Sequence, residues 1–283
     1  MDNIRVVFHI AKSGFRKWAV QPRIYLVLIL LTLYVQSRMA PIAEFCSKFG
    51  YRITPYVFPY FMSNPTDILL IMFTLVLLFC DAPFIESEQP YVMSRSGRKK
   101  WVAGQVLYIA LASALFFLVI ILLTVVFLTP HIEWSGAWGR VIGTFAQTSV
   151  AGEHGVSIPF DRGIYTYFTP VSAMLTAFGL CSFMGLFLGT VMFFFNLNVS
   201  RSAGAIASAV LILWQAAVTK TGTVLVNFSP VSWVSLSNID MTNTTLLPTL
   251  PYVLIVLSVF TALLTAGSVL SMRKRDIDVL KPV

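Results

Sequence analysis

Every Asp, Glu, Lys and Arg between residues 68 and 129 falls inside one island, residues 81–105: Asp81, Glu86, Glu88, Arg95, Arg98, Lys99 and Lys100. Carboxylates come first and cations last, a set suited to ion pairs and charge-assisted hydrogen bonds with another surface. Groups for covalent or metal chemistry are missing from the pattern. The sequence has no HExxH, no GxSxG and no GxxxxGK[ST], so it offers no metalloprotease site, no nucleophile elbow and no phosphate loop for ATP. His9, His131 and His154 are far apart, and Cys46, Cys80 and Cys181 are too few and too scattered for a disulfide framework or a zinc site. No catalytic, cofactor-binding or metal-binding residue is therefore expected in this chain.

The island lies between two long apolar runs, and composition explains what those are. Of 283 residues, 57% are hydrophobic and 11% charged, with mean hydropathy +0.80. A soluble globule carries about 25% charged residues, so the chain reads as an all-α integral membrane protein. The net charge of +8 gathers at the ends of apolar runs, without the basic patch and interleaved aromatics of a nucleic-acid surface, and no nucleic-acid partner is expected.

Ile4, Val7, Phe8, Ala11, Phe15 and Trp18 recur at steps of three and four, with Arg5, Lys12 and Arg16 between them. This predicts an interfacial amphipathic helix over residues 3–20. Charges throughout residues 1–21 leave no apolar core for a secretory signal, and the segment is expected to be kept. Six transmembrane helices are predicted at about 22–39, 67–84, 101–129, 170–197, 203–219 and 251–272. Asp67 and Asp81 bracket the second and read as end caps reached by water. Residues 40–66, 130–169 and 220–250 are expected outside, the middle one with a short helix near 138–147 and the last with short dipping segments.

Sidedness comes from the basic residues. With both termini and residues 85–100 in the cytoplasm, fourteen Lys and Arg lie inside and six outside, as short cytoplasmic loops require. Gly185 and Gly189 form a GxxxG pair in the fourth predicted span, a signal for close helix packing. The chain is read as one membrane domain, residues 1–283.

Within the island, Glu86 or Glu88 is followed by Ser94-Arg95-Ser96-Gly97-Arg98 and then by Gly104-Gln105. Permeases of the ABC-2 type often carry an acidic residue, then Ser-Arg-Pro-x-Ser-Arg, then Gly-Lys at the next span. The island resembles that pattern with one residue fewer, no proline after the first Arg, and Gln105 in place of Lys. The order of elements is also similar to that family over the whole chain. The resemblance implies a transmembrane permease subunit of an ATP-driven exporter in a cell membrane, that of a bacterium, working beside a second permease, either another copy of this chain or a related one. ATP and Mg would belong to a separate cytoplasmic ATPase.

It further implies a coupling helix that meets the ATPase through Glu86, Glu88, Arg95, Arg98 and Lys99, with Pro90, Tyr91 and Met93 supplying apolar surface. Arg5, Phe8, Phe15 and Trp18 would belong to an elbow helix, and Ser229, Pro230 and Trp233 would lie near the outer exit. The implied cargo is amphipathic or hydrophobic: a peptide such as a bacteriocin or toxin, a lipid, or a drug. A solvated loop that only fixes topology remains the other reading of the island. A secondary transporter or channel, or a membrane-embedded lipid-modifying enzyme, remains the other reading of the chain.

Overall fold

The computed structural model describes residues 3–80, 82, 89–200, 202–221, 223–242 and 245–274. Among them the fold is all-α, with no β-strand. Its helices are α1 (Asn3–Arg16), α2 (Pro22–Phe49), α3 (Phe58–Phe61), α4 (Pro65–Phe79), α5 (Gln89–Ser96) and α6 (Arg98–Leu128), followed by α7 (Gly139–Gln147), α8 (Val150–Glu153), α9 (Arg162–Tyr167), α10 (Pro170–Asn198), α11 (Ala203–Thr221) and α12 (Leu250–Lys274). Four of the helical stretches, Pro22–Phe49, Arg98–His131, Pro170–Asn198 and Leu250–Met272, are long and apolar enough to cross a membrane. Pro65–Phe79 and Ala203–Thr219 are apolar but shorter.

The centre of the bundle is α10, packed against α6, α12 and α11; α2 lies along α6, α12 also reaches α6, and α4 sits between α2 and α11. Small residues let these helices approach. A Cβ on Gly189 would come within 2.3 Å of the Ile109 side chain, and one on Gly185 within 2.7 Å of Ser113 Oγ, so the GxxxG pair is spent inside the chain, against α6. Helix α1 lies across the first turns of α6, where Gly104 faces Ile10 and Gly14 faces the Tyr108 ring. Gly97 joins α5 to α6 at φ 82 and ψ 146, a conformation that only glycine adopts without strain.

Helix α2 does not end near residue 39. It begins with Pro22 at its first position and ends at Gly50, which takes the left-handed conformation at φ 69. Buried positions Ile24, Val27, Leu31, Val35, Met39, Ile42 and Phe45 continue at steps of three and four straight past Pro41. Glu44 and Lys48, which read as loop residues, are exposed on the other face. The added turns reach a cap built from residues 50–64 and 129–169. There Phe45 meets Phe145 edge-on at 4.9 Å and the His154 ring at 5.2 Å.

The cap is stapled by backbone pairing of Ile53 with Ile132 and by Thr54 donating to the Trp138 carbonyl at 2.8 Å. Trp138 donates to the Phe168 carbonyl and packs on Tyr56, Tyr60 and Tyr165. Tyr60 is buried here, and that burial, with the Asp161 carboxylate and Tyr165 nearby, pushes its hydroxyl well above the ordinary tyrosine range.

Between α11 and α12 the chain makes three 3₁₀ turns, Thr223–Phe228, Pro230–Val234 and Leu236–Asn238. The middle turn packs against α4, α10, α11 and α12, so its irregular backbone is covered by protein. Beyond it Asp240 closes a loop, accepting from Thr242 N at 2.8 Å and Thr245 N at 2.7 Å. Desolvation raises the Asp240 pKa, but these amides and the two threonine hydroxyls outweigh it and hold the carboxyl at about 2.

Because this pKa is depressed, the loop's stabilisation is complete above the unfolded aspartate value of about 4 and is lost as pH falls through about 2. Hydrogen exchange checks this. Thr242 and Thr245 amides are expected to be protected at pH 7, to lose protection towards pH 2, and to lack it at both in Asp240→Ala. Equal protection in the variant at pH 7 would refute the role.

Candidate functional site

The island's described part is a short helix with a fixed root. On α5, Met93 is only 2% exposed, while Ser94 and Arg95 face outwards. After Gly97, Lys99 is exposed and Arg98 is half-buried, donating to the Met272 carbonyl at the end of α12 at 2.9 Å. Trp101 is fully buried against Phe193 of α10, ring centroids 5.9 Å apart. Glu86 and Glu88 lie outside the described residues, and of Pro90 and Tyr91 only the helical backbone is described. Met93, expected to offer apolar surface to a partner, packs inside this chain instead.

The other root of the island is held by a residue that sequence reasoning passed over. Asn196, buried on α10, donates to the Ala82 carbonyl at 2.6 Å and accepts from Gly204 N, also at 2.6 Å. One side chain therefore ties the segment after α4 to the end of α10 and the start of α11. Ser271 of α12 donates to Asn198 two residues on. With Arg98, these contacts lace α4, α6, α10, α11 and α12 together at the end that carries the island. Asn196 was visible as a polar residue in an apolar run, but its partners lie 114 and 8 residues away and give no local signal.

Of the residues expected on the elbow helix, Phe15 of α1 and Trp18, in the 3₁₀ turn Lys17–Ala19 that follows it, come together on Tyr108. The Phe15 ring is 5.2 Å from Trp18 and 5.1 Å from Tyr108, and Trp18 Nε1 donates to the Tyr108 hydroxyl at 2.8 Å. Arg5 and Phe8 stay exposed on other faces of the helix. Ser229 and Trp233 are buried in the 3₁₀ segment and Pro230 is half-buried. There Ser232 donates to Ser229 Oγ at 2.7 Å, and Trp233 Nε1 donates to the Val226 carbonyl at 2.8 Å.

Asp67 is not a water-washed end cap. It is fully buried in the first turn of α4, where Arg38 of α2 donates to Oδ2 at 2.9 Å and the Tyr34 hydroxyl donates to Oδ1. The other side of the Arg38 fork donates to Ser157 of the cap, and Asn64, whose side chain caps α4, donates to the Ser157 carbonyl at 3.1 Å. The cluster fastens α2, α4 and the cap at one point. Among the described residues no three His, Cys, Asp or Glu side chains gather as a metal site, and Cys46, Cys80 and Cys181 form no disulfide. No family model, curated protein or solved structure matches the chain.

Proposed function

We propose that the chain is the transmembrane permease subunit of an ATP-driven exporter of the ABC-2 kind, with six spans, both termini in the cytoplasm and α1 as the elbow helix. The observation that supports this best is α5, a short helix with an outward Arg95 and a neighbouring Lys99, in an island tied down at both ends, Arg98 to the Met272 carbonyl of α12 and the Ala82 carbonyl to Asn196 of α10. A loop that only fixed topology would need charge but no such anchorage. An ATPase seated on α5 would displace its two roots, and the laced helix ends would carry that displacement into the bundle as near-rigid bodies.

On this reading ATP and Mg are bound by the partner ATPase, a second permease copy completes the pathway, and the cargo is hydrophobic or amphipathic, a peptide, lipid or drug. A secondary transporter would draw on the buried Arg38–Asp67 pair, because charges among membrane helices mark ion or substrate paths. That pair lies in the first turn of α4 and is closed over by Ser157 of the cap, away from the midplane where such carriers bind.

The test is co-purification of the tagged chain with ATPases of its host, comparing wild type with Arg95→Glu plus Lys99→Glu. Both side chains are exposed, so the bundle should fold unchanged. An ATPase retained by wild type and reduced at least tenfold in the variant is expected. Absence of any ATPase from wild type, or equal retention by both proteins, would overturn the proposal.

A further inference from the structure

Helix α1 has three faces. One docks on α6 through Ile10, Ala11 and Gly14, and a second leaves the apolar Ile4 and Phe8 exposed. The third is a stripe of Arg5, His9, Lys12 and Arg16, all exposed, at steps of four, three and four. Residues 3–43 contain no Asp or Glu at all, against six Lys and Arg. A surface of this sign next to exposed apolar side chains matches the boundary between phosphate headgroups and acyl chains.

Where α1 turns into α2 there is a narrow crevice. Trp18 forms one edge, and Val27, Leu31, Leu78 and Phe116 from α2, α4 and α6 are among its walls. Every lining side chain is hydrophobic, and the Trp18 Nε1 is already engaged by the Tyr108 hydroxyl. A crevice without a polar partner does not hold ordered water, and it suits hydrocarbon. A slot lined by nine side chains is too small for an α-helix about 10 Å across, and its wholly apolar lining suits a hydrocarbon chain.

We propose that this corner binds an anionic phospholipid, its phosphate held by the Lys12 and Arg16 stripe and one acyl chain lying in the crevice beside Trp18. Charge complementarity selects the headgroup and the apolar slot holds the chain, so both halves are needed for selective retention. The site would tie α1 to α2 through a lipid, and it stands whether or not the chain is a permease.

The experiment uses the purified full chain in detergent, exposed to equimolar phosphatidylglycerol and phosphatidylcholine with identical acyl chains, with retained lipid counted by native mass spectrometry. Wild type is expected to keep phosphatidylglycerol over phosphatidylcholine by about tenfold. Lys12→Gln with Arg16→Gln, on an exposed face, should bring the ratio to about one. Leu28→Trp, which fills the crevice from its partly open wall, should lower retention of both lipids while the charges stay in place. Equal retention of the two lipids by wild type, a preference that survives the double substitution, or full retention by Leu28→Trp would each overturn the proposal.

Discussion

Asp67→Ala is expected to destabilise the protein by about 3 kcal/mol, the lower end of what removing one partner of a buried ion pair costs. The lower end applies because the Arg38 side chain keeps 18% of its exposure, while Asp67 has none. The variant leaves a guanidinium facing an apolar gap and strips Tyr34 of its acceptor. Asp67→Asn keeps an acceptor oxygen and should lose about 1–2 kcal/mol. Arg38→Met combined with Asp67→Leu removes both charges and should recover much of the loss, because well-packed apolar replacements of a buried pair are often neutral. Unfolding of the purified protein by denaturant in mixed micelles measures all three. An unchanged midpoint in Asp67→Ala would show that the pair contributes nothing.

The second large effect is at Gly204, on the first turn of α11. A Cβ there would lie 2.5 Å from the Met192 carbonyl oxygen and 2.6 Å from both Met192 Cα and Asn196 Oδ1. Two of these are backbone atoms of α10 and cannot step aside. Overpacking typically costs about 1–3 kcal/mol, and losing the Asn196 hydrogen bond adds about 1 more. Gly204→Val should therefore cost about 3 kcal/mol, with Gly204→Ala near 2. Gly179 on α10 supplies the contrast, since a Cβ there meets nothing within 4 Å. Gly179→Ala should be neutral or gain about 0.5–1 kcal/mol from helix propensity. If the two alanine variants unfold alike, the close approach of α10 and α11 is not what Gly204 serves.

These two sites also mark where sequence reading stops. Long apolar runs bounded by charge gave the helices at 98–128, 170–198, 203–221 and 250–274 to within a few residues of their ends. That signal is local, and so is the 3,4-spacing that gave α1. The end of α2 was misread because Pro41, Glu44 and Lys48 look like a terminus. They are the outer face of a helix whose inner face, Ile42, Phe45 and Cys46, is buried, with Phe45 against Phe145 and His154 of the cap, far along the chain.

Asp67 was misread for a related reason. A carboxylate at a helix start is an ordinary end cap unless a cation from another helix meets it, and Arg38 is 29 residues away. The island was recognisable by its charge. What holds it was not, because Asn196, Gly204 and the Met272 carbonyl become neighbours only when α10, α11 and α12 pack. Exposed side chains such as Arg95 and Lys99 can be picked out from a sequence, whereas the contacts that give them a fixed base cannot.

Helix α2 runs unbroken from Pro22 to Phe49, about 42 Å at 1.5 Å per residue. It starts beside the basic end of the molecule and finishes among the aromatic rings of the cap. Phe45 and the Arg38 fork fasten the cap to it at two heights. A tilt of α2 at its first turn would therefore be felt in the cap, like a deflection on the pointer of a gauge. Tyr51, Trp134 and Tyr167 stand exposed on that pointer. An antibody fragment selected against this surface would sort molecules by the arrangement of their opposite face, and could hold one arrangement from the far end of the helix.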